Sequence, residues 1–194
     1  MASGGGSEWD YEWDASMGVL PTERGWERVD TSGTDSYANL SSGSLYIYAK
    51  NSNKPYTIDS EATPNAVSVL EAEFSFSGTH GIALMYLSDG GDNTLAIRAQ
   101  YTSNYKGIYL WTTSSISGMR KLLTISQGTW YTVRLVLDGT YGQVYINDQL
   151  YAGDVDLSTI QVSLSHIRLR FTSDSTSAAG STRLMSTRIK LGRT

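Results

Sequence analysis

The stretch GTWYTVRLVLDGTYGQVYINDQLY, Gly128 to Tyr151, decides the fold class. Taken alternately, Trp130, Thr132, Arg134 and Val136 fall on one face and Tyr131, Val133, Leu135 and Leu137 on the other, the period of two that marks a half-buried strand. Asp138-Gly139 interrupts the run. A second strand begins near Gln143, where Val144 and Ile146 alternate with Gln143 and Tyr145. It ends at Asn147-Asp148, a pair that tolerates positive φ and closes a tight hairpin. Three successive strands therefore form an antiparallel meander, with Trp130 expected in the core.

Working outward, strand patterns recur at Leu45 to Ala49, Val67 to Phe76, Gly81 to Leu87, Thr94 to Tyr101, Gly107 to Thr113 and Lys121 to Ile125. Beyond the opening stretch come Val155 to Leu157, Ser165 to Phe171 and Arg183 to Leu191, with the Ser/Thr-rich Thr172 to Thr182 read as a mobile loop. Strands about ten residues apart, joined by polar Gly/Asp/Asn turns, are the signature of an all-β, two-sheet antiparallel sandwich. At the start, Trp9, Tyr11 and Trp13 alternate with Asp10 and Glu12. Two readings stay open there: rings covering the sandwich edge with the acids in water, or rings stacking on sugar. Asp14 to Met17 reads as one capped turn.

Composition narrows the function classes. A chain of 194 residues fits one sandwich, taken as residues 8–194 behind a Gly/Ser-rich leader at 1–7. The net charge of −4 argues against a general nucleic-acid binder, which needs a broad basic surface. No apolar run reaches the roughly 18 residues that span a bilayer, so membrane insertion is not expected. The absence of cysteine removes disulfides, thiolate metal sites and cysteine nucleophiles.

The runs FSFSGTHGIALMYLSDGGDNTLAIRAQY, GIYLWTT and GTWYTVRLVLDGTYGQVYINDQL together resemble the concanavalin A-like lectin/glucanase superfamily, and within it the laminin G-like domains. The resemblance covers about the middle half of the chain and implies a jelly roll with adjacent first and last strands. That adjacency would set Glu8, Asp10, Glu12 and Asp14 opposite Arg183, Arg188, Lys190 and Arg193. The resemblance also implies glycan binding on one sheet face, with calcium, if any cofactor, held by loop residues such as Asp89, Asp92, Asn93 and Asp138.

Alternation in the central strands assigns Met85, Arg98, Gln100, Tyr109 and Trp111 to a ligand-binding face, and Leu84, Leu95, Ile97, Ile108 and Leu110 to the core. A flat ring for the C–H face of a sugar and planar groups for its hydroxyls are what glycan recognition uses. The competing reading is that Tyr109 and Trp111 merely cover the sheet beneath a loop, Ser114 to Arg120. Glu71 and Glu73, two apart on one strand, project about 7 Å apart on one face. The superfamily's laminarinase-like glycosidases carry a Glu-x-Asp-x-x-Glu strand, and here Glu71-Ala72-Glu73-Phe74-Ser75-Phe76 lacks the last acid. His80 and His166 have no partners at triad or zinc spacing, and His80 reads as a turn residue. Arg168 and Arg170 share a strand face and, with Arg183 or Arg188, would form a basic strip for anionic glycans. Pairing of these arginines with the acidic N-terminus accounts for the same residues more simply. The expectation at this stage is a non-catalytic carbohydrate-binding or adhesion module, not an enzyme, extracellular or surface-exposed, with glycan or polysaccharide as partner. The alternative is a structural virion, tail or surface-assembly protein contacting other protein chains through Tyr46, Tyr48, Tyr145 and Tyr151.

Overall fold

The computed structural model describes residues 9–29, 35–60, 67–88, 94–112, 120–138, 141–156 and 166–191. Among these, the strands in chain order are β1 (Tyr11–Asp14), β2 (Trp26–Arg28), β3 (Tyr37–Ser41), β4 (Ser44–Ala49), β5 (Tyr56–Ser60), β6 (Val67–Phe76), β7 (Gly81–Ser88) and β8 (Thr94–Tyr101). They continue as β9 (Lys106–Thr112), β10 (Arg120–Leu123), β11 (Tyr131–Asp138), β12 (Tyr141–Ile146), β13 (Gln149–Asp156), β14 (His166–Ser173) and β15 (Gly180–Leu191). The first sheet runs β13-β12-β11-β6-β15-β4-β3, with β1 also on β15, and the second runs β10-β9-β8-β7-β14-β5-β2. All pairings are antiparallel. The expected all-β sandwich is what the chain adopts.

One residue in two from each sheet faces inward. Leu45, Ile47, Leu70, Phe74, Phe76, Val133, Leu135 and Ile189 from the first sheet meet Ile58, Leu87, Leu95, Ile97, Ile108, Leu110, Ile167 and Leu169 from the second in one buried cluster. At about 1.5–3 kcal/mol for each aliphatic or Phe side chain fully buried, this contact is the main source of stability.

The meander that opened the sequence reading is present as β11-β12-β13, and Asn147 and Asp148 close its hairpin with φ of 50° and 62°. Trp130 corrects an expectation. It precedes β11, shares the phase of Thr132 and Arg134, and is half-buried, while Tyr131, Val133 and Leu135 take the inward positions. The tryptophan that does lie in the core is Trp13, 1% exposed, with its Nε1–H donating to the Val19 carbonyl at 2.9 Å.

First and last strands are adjacent: β1 pairs β15, placing Glu12 opposite Arg188. Arg188 Nε donates to Glu12 at 2.8 Å and its Nη1 to Glu71 at 3.1 Å; Glu71 also faces Arg134 at 3.9 Å. Burial disfavours the charged form of Arg188, yet its bonds and attraction to Glu12 and Glu71 hold its pKa above the ordinary arginine value. Asp10 accepts the Leu191 N–H at 2.8 Å, so neither Asp10 nor Glu12 simply faces water. Arg183 departs from the expected charge pairing, lying opposite Tyr46 and Ser75 rather than the acidic first strand.

The Ser/Thr-rich segment expected to be a mobile loop is largely built in. β14 runs to Ser173, β15 begins at Gly180, and the turn between is tied by Ser173 Oγ–H to Ala178 O at 2.7 Å and by Ser175 Oγ accepting the Ala178 N–H at 3.0 Å. Gly180 is needed there, since a Cβ would lie 2.5 Å from the Thr172 carbonyl oxygen and 2.9 Å from that of His80. His80 does occupy a turn, with φ of 69° and Nδ1 2.7 Å from Asp174 Oδ1.

Trp13→Ala should cost about 3–5 kcal/mol in urea unfolding, and Trp130→Ala roughly half of that or less; equal losses would contradict these placements. Glu71→Gln, which deprives Arg188 and Arg134 of a buried partner, should cost about 1–3 kcal/mol, with Glu73→Gln near neutral by the same measurement. Gly180→Ala should lower the urea midpoint because two backbone carbonyls must move.

Candidate functional site

The outer face of the second sheet is set by what its strands bury. Ala83, Met85 and Leu87 on β7, Leu95, Ile97 and Ala99 on β8, Ile108 and Leu110 on β9, and Ile167, Leu169 and Phe171 on β14 all join the core. The alternate residues face out, and directly opposite residues of an antiparallel pair share a face. The registers then order them into rows. One row reads Lys121, Tyr109, Arg98, Leu84, Arg170, Thr57. The next reads Trp111, Ala96, Tyr86, Arg168, Asp59, Glu27. A third carries Gly107, Gln100, Ile82 and Thr172.

Arg98, Gln100, Tyr109 and Trp111 are thus on the face expected of them, but Met85 is not. It is 5% exposed and packs inward, and Leu84, expected in the core, faces out. The reason lies in the register: Met85 is opposite the buried Ile97, and Leu84 is opposite Arg98. Both phases of β7 are apolar, so only Tyr86 marked the outer one.

The four residues are unequally available. Gln100 is buried, and its Nε2 lies 3.4 Å from Thr102 Oγ1, part of the β8–β9 turn. Tyr109 is buried against the bare Cα of Gly107, where a Cβ would lie 3.0 Å from Tyr109 Cζ and 2.9 Å from Lys121 Cε. Trp111 and Arg98 are half-buried and reach solvent. The loop suggested as a cover for Trp111 lies outside the described residues for the most part.

Electrostatically, the face holds three arginines with different partners. Arg168 grips Asp59 through Nε to Oδ1 and Nη2 to Oδ2, both 2.7 Å, and this bond lifts its pKa above the ordinary arginine value. Arg98 and Arg170 make no ion pair with a described residue, and the Nε of each is buried with no hydrogen-bond partner. Tyr86 lies beside them. Burial pushes its phenol above the usual value although Arg170, Arg98 and Arg168 pull it down, so it presents a neutral hydroxyl.

The basic strip foreseen with Arg183 or Arg188 does not form, since those residues are on β15 in the other sheet. Of the strip, Arg168 and Arg170 join Arg98 instead. Nor do the acidic N-terminal residues neutralise them: the partner of Arg168 is Asp59. Sequence reading missed β5, and with it Asp59, because Tyr56 to Ser60 is short and follows Pro55 directly. It also missed Glu27, directly opposite Asp59. Beside Glu27, a cleft of about 610 Å³ opens between β2 and β3, walled by Trp26, Arg28, Tyr37, Tyr56 and Leu20.

The other expected sites fare differently. Glu71 and Glu73 face outward from the first sheet, where Glu71 is occupied by Arg188 and Arg134. Trp13 is buried and closed to sugar stacking, and Tyr11 is exposed at the edge. Asp89, Asp92 and Asn93 lie outside the described residues, and Asp138 ends β11 without a described side chain. Among the described residues no three carboxylate or imidazole side chains converge as a metal site.

No family model matches the sequence, and no curated protein sequence matches it. Solved structures do match. A Crh5 transglycosylase aligns with a TM-score of 0.74 at 11% identity, over 94% of this chain and 84% of its own. A β-1,3-glucanase from Mycobacterium marinum aligns at 0.67 and 13%, over 95% and 99%. A carbohydrate-binding module from Bacillus subtilis aligns at 0.57 and 11%, over 85% and 93%. The matched structures are mostly glycosyl hydrolases and transglycosylases, which overturns the expectation of a non-catalytic binding, adhesion or assembly module and of a protein that is not an enzyme. They do not show the narrower laminin G-like assignment. At such identities the likeness establishes architecture and leaves activity to the site itself: the chain has a concanavalin A-like jelly roll.

Proposed function

We propose that the chain is a glycoside hydrolase-like protein that acts on a polysaccharide laid across the outer face of its second sheet, outside the cell or at its surface. The observation that carries the reading is the pair of rows running from Trp111 and Tyr109 through Arg98, Tyr86, Arg170 and Arg168 to Asp59 and Glu27. Aromatic rings, guanidinium forks and a neutral phenol are the groups that hold sugar rings and hydroxyls. They are continuous over six strands, an extent of about 24 Å at the usual strand spacing, which suits a chain rather than a single sugar.

Hydrolysis of a glycosidic bond requires two carboxyl groups, one to protonate the leaving oxygen and one to act as nucleophile or base. On this face Asp59 and Glu27 meet that requirement in kind. They are directly opposite across β5 and β2, which sets their Cβ atoms about 4.5–5.5 Å apart. Asp59 is buried and clasped by Arg168, which fixes it in position as nucleophile or base; Glu27 lines the cleft and is exposed, within reach of a bound chain as the second carboxyl group. Glu71 and Glu73 are the weaker pair, because Glu71 is consumed by the tie between strands and the surrounding face belongs to the other sheet.

Incubation with a panel of neutral and acidic polysaccharides, read as reducing ends released, tests the proposal. Turnover of at least one polymer is expected, with Glu27→Gln abolishing it at an unchanged melting temperature and Trp111→Ala weakening binding about three- to tenfold, as loss of one stacking ring implies. Turnover that survives Glu27→Gln but disappears with Glu73→Gln would move the site to the first sheet, and no turnover of any polymer would overturn the reading.

A further inference from the structure

We infer that the polysaccharide is polyanionic, and that a carboxylate or sulfate group of one sugar is gripped between Arg98 and Arg170 above Leu84. The inference rests on the glycan-active reading of this face and names its substrate class.

Arg98 on β8 and Arg170 on β14 both lie directly opposite Leu84, on either side of β7. Two strand spacings, about 9–10 Å, separate their backbones, with an apolar side chain between them. Both arginines are half-buried, and each has a buried Nε–H with no acceptor. A buried, unpaired guanidinium N–H costs free energy that nothing among the described residues offsets. Arg168 in the next row has a full bidentate partner in Asp59, so this face does supply a carboxylate to one of its arginines. At Arg98 and Arg170 it supplies none.

The missing acceptor is anionic on three grounds. The two residues are arginine, whose planar fork matches the two oxygens of a carboxylate or sulfate. Leu84 gives the space between them an apolar floor, on which a charge-assisted bond is stronger than in water. The positive charge is also local, on a chain whose net charge is −4, so it marks one position and does not describe a generally basic surface. Tyr86, kept neutral by burial, adds a hydroxyl next to the pair. Of the other charged groups on this face, Lys121 lies two strands beyond Arg98, past Tyr109, and adds positive charge at that end. Asp59 is taken by Arg168, and Glu27 lies at the far end of the neighbouring row.

Titration calorimetry at low salt with oligogalacturonate, its fully methyl-esterified form, a sulfated glucan oligomer and single-stranded oligothymidylate separates the possibilities. The charged glycans should bind more tightly than the ester. Arg98→Gln and Arg170→Gln should each weaken the charged glycans about ten- to a hundredfold, the worth of a hydrogen bond to a charged group, and the ester by much less, with the fold verified by circular dichroism. Preference for oligogalacturonate or for the sulfated oligomer distinguishes carboxylate from sulfate. Equal binding of the acid and its ester, still lost in Trp111→Ala, would overturn the anion site while leaving glycan recognition intact. Equal or tighter binding of oligothymidylate would overturn the glycan class, and binding of none of the four would overturn the inference outright.

Discussion

The sandwich depends on how β15 is shared. Along one edge it pairs with β6 from Val67 to Phe76, and along the other it gives its first half to β4 and its second to β1. One strand therefore closes the ends of the chain together and fixes the phase of three others. Where β15 enters the sheet, the backbones of Thr172 and His80 come so close that only glycine fits at position 180. Where it leaves, Arg188 joins Glu12 on β1 to Glu71 on β6. Such a tie contributes less through Coulomb attraction than through register, because a slip of one residue would turn every inward side chain of β15 to solvent.

With the first sheet fixed in this way, the second is free to carry function on its outer surface. Arg188 bridges β15 to β1 and β6 through Glu12 and Glu71, a tie between strands, while Arg168 holds Asp59 in place across β14 and β5. Arg98 and Arg170 hold no carboxylate yet bury an N–H apiece, on the same row and against the same leucine. Arg183, on the first sheet, also buries an unpartnered Nε, but among the described residues no second such arginine shares its sheet. A single orphan could be an accident of packing. Two that flank one leucine from opposite strands are the pair on which the proposed anion would sit.

Much of this was legible in the sequence because alternation is a local signal. The central strands and the Asn147-Asp148 hairpin could be read from residue order, and so could the outward positions of Arg98, Tyr109 and Trp111; the contact between first and last strands followed from the family resemblance. What failed shares a cause. Met85 and Leu84 exchanged faces because β7 is apolar in both phases, and only pairing with β8 decides between them. Trp130 was expected inside, although its own alternation with Thr132 and Arg134 placed it outside. Asp59 and Glu27 went unnoticed because β5 and β2 are short strands distant in sequence from β14, and nothing local signals that Arg168 lies across from Asp59. The buried Nε atoms belong to no sequence pattern at all, since burial of a guanidinium stem follows from its neighbours on two other strands.

The order of groups along the two rows bears on how such a protein would treat a polymer. Aromatic rings stand at the β9 end, unneutralised cations at the centre, and carboxylates at the β5–β2 end beside an open cleft. A chain bound with its charges over Arg98 and Arg170 cannot reverse or slide freely, because an acidic sugar moved toward Asp59 and Glu27 meets like charge, while one moved toward Trp111 loses its counter-ions. On that reading the central cations would act as a register stop. They set which bond of an acidic polymer lies over the carboxylate pair, and a neutral polymer, lacking that stop, would be held by stacking alone and could occupy the face in many offsets.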